Sequence, residues 1–379
     1  MRKDWEYKKL GEVAISDLGK TLNKSKDTGT LYPYLCAINI LWDKIDLSTL
    51  KETRFEDDEL ERYTVKYGDL LVCEGGDTGR AAIWDKQETM LYQNALHRIR
   101  LNNEINSRFL LYYLWQLKLN GEIDAKYSKG VTIKHLVKSS LMSIPTPLPP
   151  KPTQLAIVAE LDKINELIQL KKQQLKDYDQ LAQSIFYEMF GDPVENEKGW
   201  EVKKLGEVTI YPNERISIED IQSNQYIGVE NLLKNKAGVS FSNQLPNATS
   251  AIYFSFNDIL LGNIRPYLKK IWLSDTIGGA SGDVIVIRIS SNKVLPMYLF
   301  KLLSTDTFFD YDNLNTKGAK MPRGDKKVIA KFPVPLPPLP LQQQFAARIE
   351  AIERQKQQVS ETIKDLETLL ASRMQYWFD

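Results

Sequence analysis

The sequence predicts an α+β protein built twice: two globular domains, each followed by a long amphipathic helix, with the two helices packed antiparallel as a coiled coil about a pseudo-twofold axis. Three observations predict it. Trp5-Glu6-Tyr7-Lys8-Lys9-Leu10-Gly11-Glu12-Val13 recurs as Trp200-Glu201-Val202-Lys203-Lys204-Leu205-Gly206-Glu207-Val208. Ile144-Pro145-Thr146-Pro147-Leu148-Pro149-Pro150 recurs as Phe332-Pro333-Val334-Pro335-Leu336-Pro337-Pro338. Each proline segment then opens a stretch free of proline and glycine, 153–190 and 341–379, with apolar residues at alternating four- and three-residue spacings. A repeat of this kind sets the architecture before any local element is assigned.

Between the anchors the copies keep their order while their sequences diverge. Gly68-Asp69-Leu70-Leu71-Val72 aligns with Asn257-Asp258-Ile259-Leu260-Leu261, and Ser128-Lys129-Gly130 with Thr316-Lys317-Gly318. The register drifts by only a few residues, as expected of one fold with small loop differences. Strong ends and divergent middles suggest a shared frame with different contents; drift after duplication is the plainer reading.

Proline removes a backbone donor and disfavours helix, so the segments PTPLPP and PVPLPPLP are expected to be short extended linkers. In the stretch after the first, the apolar seam runs through Ile157, Leu161, Ile164, Ile168, Leu175, Tyr178, Ala182, Ile185 and Met189, interrupted by Lys171. In the second it runs through Phe345, Ile349, Ile352, Val359, Ile363, Leu366, Leu370 and Trp377, interrupted by Lys356 and Arg373. Such spacing is a coiled-coil seam, and the rods would be about 55–60 Å long at 1.5 Å per residue. Neither is stable alone in water, so the simplest arrangement packs each on the other. With the ends related by a pseudo-twofold axis, the second helix returns to the first domain and both chain ends lie there. Lys171 and Lys356 should fall near the middle of the seam, their stems on apolar neighbours and their ammonium groups in water. Two separate head-plus-helix units are the alternative.

Within the heads, Asp69-Leu70-Leu71-Val72-Cys73 and Val284-Ile285-Val286-Ile287 read as buried strands, and Ser107–Lys118 and Leu295–Ser304 as apolar helices. Strands and helices without regular alternation favour an α+β head.

Composition bounds the class. Of 379 residues, 42% are apolar and 26% charged, the proportions of an ordinary globular protein, and no run reaches the roughly 20 apolar residues of a membrane span. The N-terminus lacks the apolar core of a signal peptide, and the two cysteines, Cys36 and Cys73, read as small hydrophobes; a cytoplasmic protein is expected. The net charge of +1 gives no global attraction to nucleic acid, but phosphate attraction depends on local patches.

Catalytic constellations are missing from the sequence. It holds no G-x-x-x-x-G-K-[ST] phosphate loop and no G-x-G-x-x-G fingerprint. Its two histidines, His97 and His135, stand apart from any nucleophile elbow, and His97 within Ala95-Leu96-His97-Arg98-Ile99 reads as a core or edge residue of a strand. Asn263-Ile264-Arg265-Pro266-Tyr267 is loosely similar to the Asn-Pro-Pro-Tyr loop of amino-methyltransferases, but Ile-Arg intervenes and no cofactor motif accompanies it. The chain by itself is expected to catalyse nothing and to hold neither cofactor nor metal.

Local positive charge stands near the end of each head. Lys126, Lys129, Lys134 and Lys138 fall in one segment with no acid; Lys317, Lys320, Arg323, Lys326, Lys327 and Lys331 fall in the matching segment against Asp325 alone. A charge run is usually a solvated face, but its repetition at matching positions is what paired phosphate contacts need. The turn Gly75-Gly76-Asp77-Thr78-Gly79-Arg80 offers backbone donors to an anion and reads equally well as a tight turn. The candidate DNA contacts are therefore Arg80, Lys126, Lys129, Lys134 and Lys138 in the first head and Arg265, Lys269, Lys317, Lys320, Arg323, Lys326 and Lys327 in the second.

Taken together, the motifs resemble the specificity subunit of type I restriction-modification systems over essentially the whole chain. Three features carry the resemblance. LPPKPTQLAIVAELD at 148–162 and LPPLPLQQQFAARIE at 336–350 look like the family's Leu-Pro-Pro-x-x-x-Gln helix entry, with Gln154 and Gln342 at the matching place; FYEMFGDP at 186–193 leads into GWEVKKLGEV at 199–208; and Gly68-Asp69-Leu70-Leu71 precedes a glycine-rich turn, more loosely matched by Asn257-Asp258-Ile259-Leu260. The resemblance implies target-recognition domains at 1–147 and 193–335, each reading half of a split DNA sequence, and linkers with conserved helices at 148–192 and 336–379. It also implies two methyltransferase subunits that bind S-adenosylmethionine and motor-nuclease subunits that use ATP and magnesium, so that the missing motifs lie in other chains. The second head departs from the glycine-rich pattern at Ile264-Arg265-Pro266-Tyr267, which puts a shared mode of base reading in doubt. The alternatives are a structural adaptor holding two protein-binding heads at a fixed spacing, or the recognition part of a longer single-chain restriction enzyme.

Overall fold

The computed structural model describes residues 4–23, 27–130, 134–316 and 322–379. They fall into two compact units, residues 1–172 with 361–379, and residues 173–360.

The first unit runs β1 (Glu6–Lys9), β2 (Ala14–Leu18), β3 (Thr30–Leu35), β4 (Lys51–Phe55), β5 (Thr64–Val65), β6 (Leu70–Cys73), β7 (Ala81–Ile83), β8 (Met90–Tyr92), β9 (Leu96–Leu101), α1 (Ser107–Leu119) and β10 (Pro145–Leu148), then enters α2 (Lys151–Phe190). One sheet has the order β2-β9-β6-β7 and another β4-β3-β8-β5. Every residue of β6 is buried, which is why its apolar run is continuous rather than alternating. Helix α1 starts where the Asn106 side chain accepts from the backbone N–H groups of Arg108 (2.9 Å) and Phe109 (3.1 Å), satisfying donors that no preceding turn can.

The second unit contains β11 (Val202–Lys204), β12 (Thr209–Ile210), β13 (Arg215–Ser217), β14 (Tyr226–Ile227), β15 (Ser250–Phe254), β16 (Ile259–Gly262), β17 (Ile271–Leu273), β18 (Gly278–Ala280), β19 (Val284–Ile289), α3 (Pro296–Leu303), α4 (Asp306–Leu314) and β20 (Pro333–Pro335), and starts α5 (Leu339–Phe378). Its sheet β12-β19-β16-β17 repeats the order of β2-β9-β6-β7. Its other sheet, β13-β15-β18-β14, repeats only the inner three strands: β18 is parallel to β14 and antiparallel to β15, as β8 is to β3 and β5. The outer strand joins opposite edges, β4 on β3 in the first unit and β13 on β15, the counterpart of β5, in the second. The divergence seen in the sequence is thus a change of edge strand on a common centre.

The repeat anchors meet in space. Strand β1 pairs antiparallel with β10, and β11 with β20. The proline segments expected as linkers are therefore strands. A two-stranded ribbon consists only of edges, so proline can turn its donor-less side away from the partner. Directly after, the Leu10 amide donates to Ile144 and the Leu205 amide to Phe332, both at 2.9 Å. A bidentate pair is duplicated too: Arg100 holds Asp69 at 2.8 and 2.9 Å, and Arg288 holds Asp258 at 3.0 and 2.8 Å.

The long helices begin two residues earlier than the proline-free stretches suggest, because proline is tolerated in the first turn, where its missing N–H has no intrahelical partner. Within the first unit, Glu160 pairs with Arg373 and accepts from Trp377 Nε1 (3.0 Å), and Lys172 reaches Glu367 (2.7 Å). Within the second, Lys356 reaches Asp179 (2.7 Å) and Phe345 packs on Phe190 with ring centroids 5.1 Å apart. In each unit the partner's number falls as the other rises, so the helices are antiparallel. The Lys356 ammonium does not simply meet water: it is ion-paired to Asp179 and, at 3.2 Å, to Glu353, because the helix turn beside it is acidic. Both described ends of the chain pack on Phe109, Trp5 at 6.2 Å and Phe378 at 5.3 Å.

Candidate nucleic-acid interface

In each unit the β-turn and the basic segment that the sequence marks out are folded against one another. In the first, residues 74–80 link β6 to β7. Gly76 and Gly79 have φ of 78° and 84°, the left-handed region that glycine enters at no steric cost, and a Cβ on Gly79 would stand 2.9 Å from Ile123. Thr78 is buried and donates to Asp124 (2.7 Å), and the Leu136 amide donates to the Glu74 carbonyl (2.7 Å). Lys129 and His135 exchange backbone hydrogen bonds of 2.8 Å, so the lysine segment doubles back over the turn.

The second unit repeats this with other side chains. Residues 263–270 link β16 to β17, the Gly324 amide donates to the Asn263 carbonyl (3.1 Å), and the Arg265 amide donates to the Pro322 carbonyl (2.8 Å). Ile264 and Arg323 form an isolated β-bridge. Instead of glycine, Arg265 and Lys269 occupy the left-handed region, at φ of 53° and 50°.

The predicted contacts divide by what they touch. Lys129, Lys138 and Lys327 are exposed, as is Arg265. Lys126 is exposed and paired with Glu122 (2.6 Å), and Lys134 donates to the Asp124 carbonyl (2.9 Å). The first segment thus meets acids that its own sequence lacks. Lys326 lies over the Tyr211 ring at 5.7 Å, and Arg323 pairs with Asp283 (3.1 Å). Arg80 is half-buried and donates to the Ala37 carbonyl (2.9 Å), which gives it a task inside the fold. Lys269 is paired with Asp306 (2.8 Å). Lys317 and Lys320 lie outside the described residues.

His97 is fully buried, its Nε2 donating to the Leu136 carbonyl (2.7 Å), and burial pushes its pKa below the usual value. It joins β9 to the lysine segment as a neutral hydrogen-bonding group. Two cations that the sequence reading passed over, Lys234 and Lys236, also come to the second turn: the Lys236 amide donates to the Lys269 carbonyl (2.8 Å). Nothing local in the sequence signals this, since the meeting is made by the fold.

Among the described residues, both units thus bring part of a basic segment to the same hairpin turn of a shared α+β frame. The chain belongs to the family of type I restriction modification DNA specificity domains, whose profile matches residues 2–177 and 197–368. Among its relatives, the type I restriction enzyme EcoDI specificity subunit of Escherichia coli is 22% identical over 392 residues, covering 92% of this chain and 81% of that one. The type I restriction enzyme MjaVIII specificity subunit of Methanocaldococcus jannaschii is 24% identical over 410 residues, covering 97% and 92%. Two solved structures share the fold: the type I restriction-modification S subunit from M. genitalium (TM-score 0.52, 15% identity, 99% and 96% covered) and a chain of a type I R-M system (TM-score 0.57, 17% identity, 100% and 98% covered).

Proposed function

We propose that this chain is the non-catalytic DNA-recognition subunit of a type I restriction-modification complex, each unit reading one half of a bipartite target. The observation that carries the reading is the duplicated frame, with the family's profile matching both halves. Phosphate contacts would come from Lys126, Lys129 and Lys138 in the first unit and Lys326 and Lys327 in the second; such contacts fix register while base edges supply sequence. The long helices would dock two methyltransferase subunits, which bring S-adenosylmethionine, and motor-nuclease subunits would bring ATP and magnesium chemistry. Methyl transfer and cleavage then belong to those partners.

The test is a domain exchange. Residues 1–147 are replaced by the matching region of a relative, and methylated adenines are mapped in cells that also make the methyltransferase. One half of the target should change and the other stay. A change in both halves would overturn modular reading, and an adaptor for two proteins would support no methylation pattern at all.

A further inference from the structure

At one matching place the two units carry opposite charge. In the first, the turn supplies the acid and the helix the base: Lys118 Nζ stands 3.0 Å from Asp77 and 3.0 Å from Asp124. In the register that aligns Ser128 with Thr316, the position of Lys118 is taken by Asp306, the first residue of α4. There the turn and the 234–236 segment supply the bases. Asp306 Oδ1 accepts from Lys269 (2.8 Å) and from Lys236 (3.2 Å).

The backbone at this place is held in an unfavourable conformation. Among the described residues eight non-glycine residues have left-handed φ, and four gather here: Asn235 (57°), Lys236 (62°), Arg265 (53°) and Lys269 (50°). Only asparagine among these tolerates the region well, through local hydrogen bonding of its side chain. Lysine and arginine do not, and strain of this kind persists where surrounding structure over-determines it, often at ligand clamps. The two strained segments brace each other through the Lys236–Lys269 backbone bond.

The acids described at this place are Asp306, shared by two lysines, and Glu230, which acts on Lys270. Lys234 and Arg265 are exposed, and Tyr267 between the cations is 53% exposed. Lys270 is spent on the Val229 carbonyl (2.6 Å), its pKa lowered by burial and by the charge of Lys234. The first unit turns its equivalent inward: at the tip that matches 234–236, Trp42 stacks on Trp115 (5.1 Å, 5° between planes) and Asp43, with φ of 56°, binds Arg108 (2.9 Å) and Asn165 (2.7 Å).

We infer that Lys234, Lys236, Arg265 and Lys269 form a phosphodiester-binding cradle peculiar to the second unit, in which Asp306 positions two ammonium groups. The inference rests on the DNA-recognition reading above. Each ammonium has three donors; Asp306 takes one from each of two lysines, leaving the others for phosphate oxygens in charge-assisted hydrogen bonds. The first unit must then engage the backbone chiefly through its 126–138 segment.

The test uses the full-length chain and a labelled duplex of mixed sequence, with affinity followed by anisotropy over a range of salt. In the double variant Lys236→Gly and Lys269→Gly, charge is lost while glycine relaxes the left-handed backbone. The melting temperature should stay near that of the wild type while the slope of log affinity against log salt flattens by about 2. Both ammonium groups bond Asp306 Oδ1, an acceptor that asparagine keeps, so Asp306→Asn holds their placement while removing an anion from the edge of the cradle, and affinity should rise several-fold. If the glycine variant keeps the wild-type slope, or Asp306→Asn leaves affinity unchanged or weaker, the cluster is a structural network and the cradle is wrong, with DNA recognition intact. A wild-type chain with no salt-dependent binding would overturn both.

Discussion

The buried glutamine at the start of each long helix offers a test of how the frame is held. Gln342 is fully buried; its Oε1 accepts from the Leu295 amide (2.8 Å), and its Nε2 donates to the carbonyls of Lys293 (2.9 Å) and Pro337 (2.8 Å). One side chain thus ties helix α5 to the proline strand before it and to the start of α3. Gln154 makes the same three bonds, to the Asn106 amide (2.8 Å) and the carbonyls of Glu104 (3.0 Å) and Pro149 (2.9 Å). Leucine has the volume but no polar atoms. In Gln342→Leu the Leu295 amide and the Pro337 carbonyl lose their partner away from water, at roughly 1–3 kcal/mol per orphaned group, partly offset by the added apolar burial. The expected loss is about 2–4 kcal/mol. Hydrogen exchange resolved by peptide and measured through a urea series reports each unit separately, and protection of the Leu295 amide should fall most. Gln154→Leu should cost the first unit a similar amount. A loss under about 1 kcal/mol, or a protected Leu295 amide in the variant, would refute the proposed clasp.

Two further predictions follow from buried charge and from chain path. Asp312 is 2% exposed with Oδ1 unpartnered, and burial pushes its pKa up to about 6. Because the folded state holds this proton more tightly than the unfolded chain, the contribution of Asp312 is full below about pH 4 and is lost as pH rises through 6. Asp312→Asn should therefore raise stability at pH 7 by about 1–3 kcal/mol and flatten melting temperature between pH 4 and 7; a variant with the wild-type pH slope would contradict this. Trp5 and Phe378 share Phe109, so a circular permutant joined through residues 379 and 1 and opened within 191–199 should fold with the wild-type circular dichroism spectrum, and an unfolded permutant would rule the path out.

How far the sequence reaches depends on whether a feature is made by neighbours in the chain. The seam residues Ile157, Leu161, Ile168, Ile349 and Leu370 are buried as their spacing demands. Phe186, Phe190, Met374 and Phe378 escape that pattern and are also buried, because the helix ends leave the seam and enter the core of a unit. Strands such as β6 and β19 announce themselves by continuous apolar runs. The proline strands do not, since proline argues against strand everywhere except at an edge. The basic segments and the turns are each visible in the sequence, but their contact is not. The meeting of Lys236 with Lys269 is less visible still, depending on two left-handed bends brought together by sheet topology.

Which contacts the two copies share also has a physical reason. The retained ones are directional: the clasp of the buried glutamines, the bidentate arginine pairs on buried Asp69 and Asp258, and the ribbon of repeat anchors. Each joins groups that would be left unsatisfied by a change on one side alone, so single substitutions there are costly in both copies. The outer strand of the second sheet and the surface of the hairpin turn carry no such constraint, and there the copies differ. The Lys118–Asp77 pair shows how. Its counterpart Asp306–Lys269 keeps an ion pair between helix and turn and reverses the polarity, so the turn stays anchored while the charge it presents outward changes from acid to base. An exchange of both partners is tolerable where an exchange of one is not. A frame built this way lets one unit change the charge on its surface without altering the fold that holds it, and without any change in the other.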